Sequence, residues 1–132
     1  MTGMWKQWTL LLLGFVPLAA AAPAAADPPR VLSVLTVKVK GDQDAYLQKV
    51  KQFTALAKRL DAGGTTRVWR STLAGDGTGL IFVATEYANL ETLAKGNAKI
   101  QADEEWKKLS KDVTASGIRE LVSNSLFEEV TP

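Results

Sequence analysis

Val31 to Lys40 is rich in β-branched residues and apolar on both alternating sets. Val31, Leu35, Val37 and Val39 make one set, and Leu32 and Val34 the other. A strand apolar on both sides is one whose two faces are both covered. Gly41-Asp42-Gln43-Asp44 follows as a turn with helix-capping side chains. Apolar residues then return at three- and four-residue steps: Tyr46, Leu47, Val50, Phe53, Ala57 and Leu60. Lys49, Lys51, Gln52, Lys58 and Arg59 fill the other side. The spacing predicts an amphipathic helix ended by Gly63-Gly64.

Thr65 to Ala74 and Leu80 to Tyr87 read as two strands joined through the glycine-rich turn Gly75-Asp76-Gly77-Thr78-Gly79. A phosphate-binding loop would need a Lys-Ser/Thr pair and a helix opening after the glycines, and neither follows. Asn89 is a good N-cap for a helix starting at Leu90. Gly96-Asn97 interrupts its pattern, and Asp103 can cap a continuation carrying Trp106, Leu109 and Val113. The stretch is one bent helix or two short ones, closed by Gly117. Ile118 to Val130 is a fourth strand with the polar Asn124 inside it.

The order β-α-β-β-α-β predicts an α+β fold of the ferredoxin-like split βαβ type. Two helices would cover one face of a four-stranded antiparallel sheet. One domain over residues 27–132 accounts for all of these elements.

The stretch before it has a different character. Lys6 precedes a short apolar run from Leu10 to Leu18, followed by an alanine-rich end with Pro23 and Ala24-Ala25-Ala26. A basic start, a short apolar core and an A-x-A ending describe a secretory signal peptide over residues 1–26, cleaved before Asp27. The run is short for a bilayer span, and Pro17 and Pro23 interrupt it. The expected protein is exported, periplasmic or secreted, and keeps no stable membrane anchor.

Composition narrows the chemistry. The 132-residue chain has no cysteine and no histidine. Disulfides, thiol nucleophiles, cysteine or histidine metal sites, histidine-ligated haem and a histidine general base are all excluded. The expectation is therefore no metal and no cofactor. A net charge of +2 leaves no electrostatic footprint for nucleic acid. Asp103-Glu104-Glu105 points in several helical directions and reads as a solvated first turn, not a metal site.

Centring the hairpin on Gly77 sets Trp69 opposite Thr85 and Arg67 opposite Tyr87, with Ser71 and Leu73 further along the same face. The other face carries Thr72, Phe82, Arg70, Ala84, Val68 and Glu86. Both faces hold large apolar groups. The one without helices would expose several hundred Å2, which monomers avoid. Burying such a patch on two copies supplies a driving force on the order of 10 kcal/mol before association costs. A homodimer through the sheet is expected.

Leu80 to Leu93, with Tyr87 before the capping Asn89, resembles the third strand and second helix of the dimeric α+β barrel superfamily. That superfamily includes small cofactor-free monooxygenases of antibiotic biosynthesis and related stress-response barrels. Asp103-Glu104-Glu105-Trp106 is similar to an Asp-Pro-Glu-Trp segment found in many members. The resemblance implies the fold, the dimer and a ligand space against one sheet face. It also marks departures. A frequent glutamate is Thr85 here, and a frequent helix histidine is Gly96. Both weaken an enzymatic reading.

Under this register Arg67, Trp69, Thr85 and Tyr87, with Asn124 from the last strand, are the candidate ligand-binding residues. Trp69 and Tyr87 would stack on a planar ligand while Arg67 pairs with its anionic group. Alternatively, Trp69 is core and Arg67 and Tyr87 form a cation–π pair at the rim. A slip of one residue would bring Arg70 and Glu86 to that face instead. Asn124 either binds a substrate oxygen or satisfies a local hydrogen bond. Trp106 reads as a lid packing the second helix on the sheet. Three functions remain open: a small-molecule-binding dimer, a cofactor-independent monooxygenase-like enzyme for planar aromatic substrates, and a structural or protein-interaction dimer.

Overall fold

The computed structural model describes residues 27–131; the leader expected over residues 1–26 lies outside them. Four strands and three helices follow one another as β1 (Val31–Val39), α1 (Gln43–Arg59), β2 (Thr65–Arg70), β3 (Ile81–Tyr87), α2 (Leu90–Ala102), α3 (Glu104–Ser116) and β4 (Arg119–Glu128). The strands form one antiparallel sheet in the order β2-β3-β1-β4. This is the expected ferredoxin-like arrangement, with the stretch between β3 and β4 taking the two-helix alternative.

Short polar side chains start each helix. Asp42 accepts a hydrogen bond from the Asp44 amide at 2.9 Å. Asn89 accepts from the Thr92 amide at 2.8 Å. Asp103 accepts from the Trp106 amide at 2.9 Å. Each satisfies an amide that the first helical turn leaves without a carbonyl partner. The chain between β3 and β4 therefore divides at Asp103. Gly96 does not interrupt it, and α2 runs through that position without a break. Gly117 closes α3 in the left-handed conformation at φ 65°, which a residue without a Cβ adopts freely.

The hairpin register corrects the one expected from the glycine turn. Trp69 stands opposite Phe82, Arg67 opposite Ala84, and Thr66 opposite Thr85. The connection spans the whole of residues 71–80, with a 3-10 turn at Gly75–Gly77. Ser71 closes it. The Ser71 amide donates to the Leu80 carbonyl at 3.0 Å, and the Leu80 amide donates to the Ser71 hydroxyl at 3.1 Å. The pairing moves by three residues from the expected one, an odd step. Because side chains alternate with a period of two, an odd step moves every β2 side chain to the other face relative to β3.

Directly opposed residues share a face. Val31, Ser33, Leu35 and Val37 of β1 thus lie with Ile81, Val83, Thr85 and Tyr87 of β3 and with Asn124 of β4. This face receives the helices. Its core is Val37 and Ile81 packed with Tyr46 and Val50 of α1, all of them buried. The opposite face carries Leu32, Val34, Phe82, Ala84, Trp69 and Phe127. No helix among the described residues covers it. Trp69 is 60% exposed and Phe127 54%.

Candidate functional site

A cavity of about 640 Å3 opens between the helical layer and the helix-facing side of the sheet. It runs along α1, from Tyr46 to the residues just beyond the helix. The part of α1 from Tyr46 to Lys58, both of which line the cavity, spans roughly 18 Å at about 1.5 Å per residue.

The middle of the cavity is apolar. Leu35 and Val83 form its floor, Val50 and Phe53 one wall, and Ile100 and Trp106 the other. Phe53 and Trp106 meet edge to face, with ring centroids 4.8 Å apart at 61°, the geometry that aromatic quadrupoles favour. Trp106 thus packs α3 on α1 and lines the cavity at the same time.

Polar groups gather toward the ends. Thr66 and Thr85 share a hydrogen bond across β2 and β3 at 2.9 Å. Tyr87 stands beside them, and burial pushes its phenol above the ordinary value of 10.0. At neutral pH it is an uncharged hydrogen-bond donor, not a base. Its ring rests on backbone. A Cβ at Gly64 would lie 2.5 Å from Thr85 Cγ2 and 2.9 Å from Tyr87 Cε1. Only a glycine there lets the two side chains approach the chain so closely.

Arg119 lines the cavity at the end where α1 begins. One guanidinium nitrogen donates to the Tyr46 hydroxyl at 3.1 Å. The group also lies 5.8 Å from the Tyr46 ring centroid, inside cation–π range. Asn124 lines the same cavity from β4, beside Leu35 of β1.

The expected set of site residues therefore divides. Thr85, Tyr87 and Asn124 line the cavity. Arg67 and Trp69 do not. The three-residue shift of the hairpin puts them on the open face of the sheet, beside Ala84 and Phe82. Neither can stack on or pair with a ligand that Tyr87 touches. Arg70 shares the register position of Ile81 and is exposed outside the cavity, and Glu86 stays on the open face. The rim pair of Arg67 and Tyr87 is excluded for the same reason. The arginine that meets a tyrosine ring is Arg119.

Sequence reasoning missed Arg119, Tyr46, Phe53 and Gly64 as parts of the site. The helical repeat of Tyr46, Val50, Phe53 and Ala57 was visible. Its division between filled core and open cavity depends on how far α3 stands from the sheet, which no local pattern records.

Gly96 has an equally local reason. A Cβ there would overlap the Ala62 carbonyl oxygen and come within 3.1 Å of its carbon. The backbone of α2 touches the loop after α1, and a histidine or any other side chain at this position has no room. Among the described residues, no cluster of three or more His, Cys, Asp or Glu side chains is placed to hold a metal ion.

No protein-family model matches the chain, and no curated protein matches it. Solved structures do share its fold. SnoaB, a cofactor-independent oxygenase from Streptomyces nogalater, is similar at a TM-score of 0.59 and 13% identity, over 81% of this chain and 97% of that one. A NIPSNAP family protein of unknown function from Agrobacterium tumefaciens has a TM-score of 0.59 at 18% identity, over 78% of this chain and 92% of that one. A Bacteroides thetaiotaomicron protein of unknown function, described as a possible oxidoreductase, has a TM-score of 0.54 at 15% identity, over 79% and 100%. The shared fold is the ferredoxin-like α+β one that the element order implied.

Proposed function

We propose that this chain is an exported small-molecule-binding α+β barrel protein that dimerises through its sheet and holds a planar aromatic ligand between helices and sheet. One observation carries the reading: a cavity of about 640 Å3 with an apolar middle and hydrogen-bonding groups toward its ends. That size suits one drug-sized molecule. Phe53 and Trp106 supply flat apolar surface, Leu35 and Val83 the floor, and Tyr87, Thr85 and Asn124 the oriented polar contacts. The dimer rests on Trp69, Phe82 and Phe127 of the uncovered face. Export rests on the character of residues 1–26.

Cofactor-independent oxygenation is the second reading. It is favoured by the shared fold of SnoaB and by a cavity whose walls include the apolar side chains Leu35, Val50, Phe53, Val83, Ile100 and Trp106. The substrate would have to ionise without a histidine base and pass its own electrons to dioxygen. Tyr87, held protonated, would donate a hydrogen bond to a substrate oxygen instead of removing a proton.

Native mass spectrometry of the protein, expressed as the full chain and purified gently, tests the first reading. The expected species is a dimer beginning at Asp27 that carries extra small-molecule mass. A bare monomer whose tryptophan fluorescence no aromatic ligand quenches would refute it. Oxygen uptake with a panel of hydroquinones and anthrones separates the two readings. Binding without uptake leaves the binding protein, and uptake makes it an enzyme.

A further inference from the structure

Arg119 is the feature of the cavity that a purely apolar binding site does not explain. It is half-buried, and it holds a fixed position through Tyr46. The ion pairs among the described residues engage Arg30, Lys40, Arg59, Lys95, Lys99 and Lys107, and none of them includes Arg119. Its chain neighbour Glu120 pairs with Lys40 across the strands at 3.8 Å. The other charged groups on the cavity, Lys58 and Asp61, stand toward the opposite end of α1 and are exposed. Arg119 thus brings a positive charge to this end of the cavity, and none of those ion pairs spends it on a carboxylate of the protein.

The hydrogen bond to Tyr46 has a direction. Arg119 can only donate, so the Tyr46 oxygen accepts. Arg119 in turn spends one N–H on Tyr46 and keeps the rest of its planar fork. A fork of parallel N–H donors matches the two oxygens of a carboxylate.

We propose that the cavity selects an aromatic carboxylate. Its ring system lies against the paired Phe53 and Trp106, and its carboxylate is received by Arg119, which the buried Tyr46 holds in place. The inference rests on the small-molecule-binding reading above and names the ligand class. It gives to Arg119 the anion-pairing role that the hairpin register takes away from Arg67. A charged group in a cavity mouth gains more from its partner than one at the open surface, because less water screens the pair. Binding a neutral analogue would leave the desolvated guanidinium without a partner, and that asymmetry is the source of selectivity.

The test compares anthracene carboxylate with the anthracene carboxamide of the same ring attachment, by titration calorimetry and by quenching of tryptophan fluorescence. The wild-type protein is expected to bind the carboxylate about tenfold tighter or more. Arg119→Gln should bring the ratio close to one, chiefly by weakening the carboxylate, in a variant whose circular dichroism is that of the folded protein. Tyr46→Phe keeps the ring that the core needs, and should reduce the ratio in part. Equal affinity of the two ligands for the wild type overturns the proposal and leaves the binding reading standing. A carboxylate preference that survives Arg119→Gln also overturns it. If neither ligand, nor any of a panel of aromatic acids and amides, binds the wild type, the binding reading fails and this proposal with it.

Discussion

Replacing Gly96 by alanine sets two effects of opposite sign against each other. On intrinsic propensity alone, alanine inside a helix is worth about 0.5–1 kcal/mol over glycine. A reader of the sequence would therefore expect Gly96→Ala to stabilise α2. Packing says otherwise. The added Cβ would overlap the Ala62 carbonyl oxygen, with the Ala62 carbonyl carbon at 3.1 Å and its Cα at 3.5 Å. These are backbone atoms, so no rotamer change relieves the overlap. The helix and the loop must part by on the order of 1 Å to restore ordinary contact. Two further contacts resist that: Ala62 is buried, and Lys99 of the same helix donates to the Asp61 carbonyl at 2.9 Å. Overpacking of a fixed interior commonly costs 1–3 kcal/mol, and more where backbone must move. The steric cost exceeds the propensity gain, for a net loss of about 1–2 kcal/mol. In a domain of this size that lowers Tm by about 5–15 °C. Thermal unfolding followed by circular dichroism, at one protein concentration, measures it. Ala94→Gly, at an exposed position of the same helix, is the control and should cost about 1 kcal/mol through propensity alone. A Gly96→Ala protein as stable as wild type, or more stable, would refute the close approach of α2 to the loop.

Two further outcomes follow from the same geometry. Trp69→Glu and Phe127→Glu place charge on the uncovered face, and each should convert the proposed dimer to monomer on size-exclusion chromatography while leaving the proposed ligand binding in place. Tyr87, whose pKa burial raises, should make the fold lose stability at alkaline pH. The unfolded chain releases the phenolic proton near pH 10 while the folded protein still holds it. The contribution is thus complete below about pH 10 and fades as pH rises toward the folded value. Tyr87→Phe should flatten the alkaline limb of stability against pH, and an unchanged limb would mean that the phenol is not desolvated.

Much of the architecture was legible in the order of residues, because the physics that set it is local. Alternation marks β1 and β3, three- and four-residue spacing marks α1, and Asp42, Asn89 and Asp103 each sit where a helix start needs a side-chain acceptor. The double-sided apolar pattern of β1 also put Leu32 and Val34 on the face that the helices leave uncovered. The helix break was harder. Gly96 carries the residue type of an interruption, yet what it accommodates is a neighbour distant in sequence.

The site divides along the same line. Tyr87, Thr85 and Asn124 could be read from strand periodicity, since β3 and the inner part of β4 pair as their patterns suggest. Trp69 and Arg67 could not, because their face depends on how residues 71–80 wind between two strands. Ser71 and a 3-10 turn shape that winding, and one odd step exchanges a cavity wall for the uncovered face of the sheet. The union of Arg119 with Tyr46 is a matter of tertiary structure alone. It joins the first residue of the last strand to the first turn of the first helix, and no spacing rule spans that distance. The chain itself determined which segments form strands and helices. Only their packing decided which side chains enclose the cavity, because the face a strand presents depends on the register of its partners.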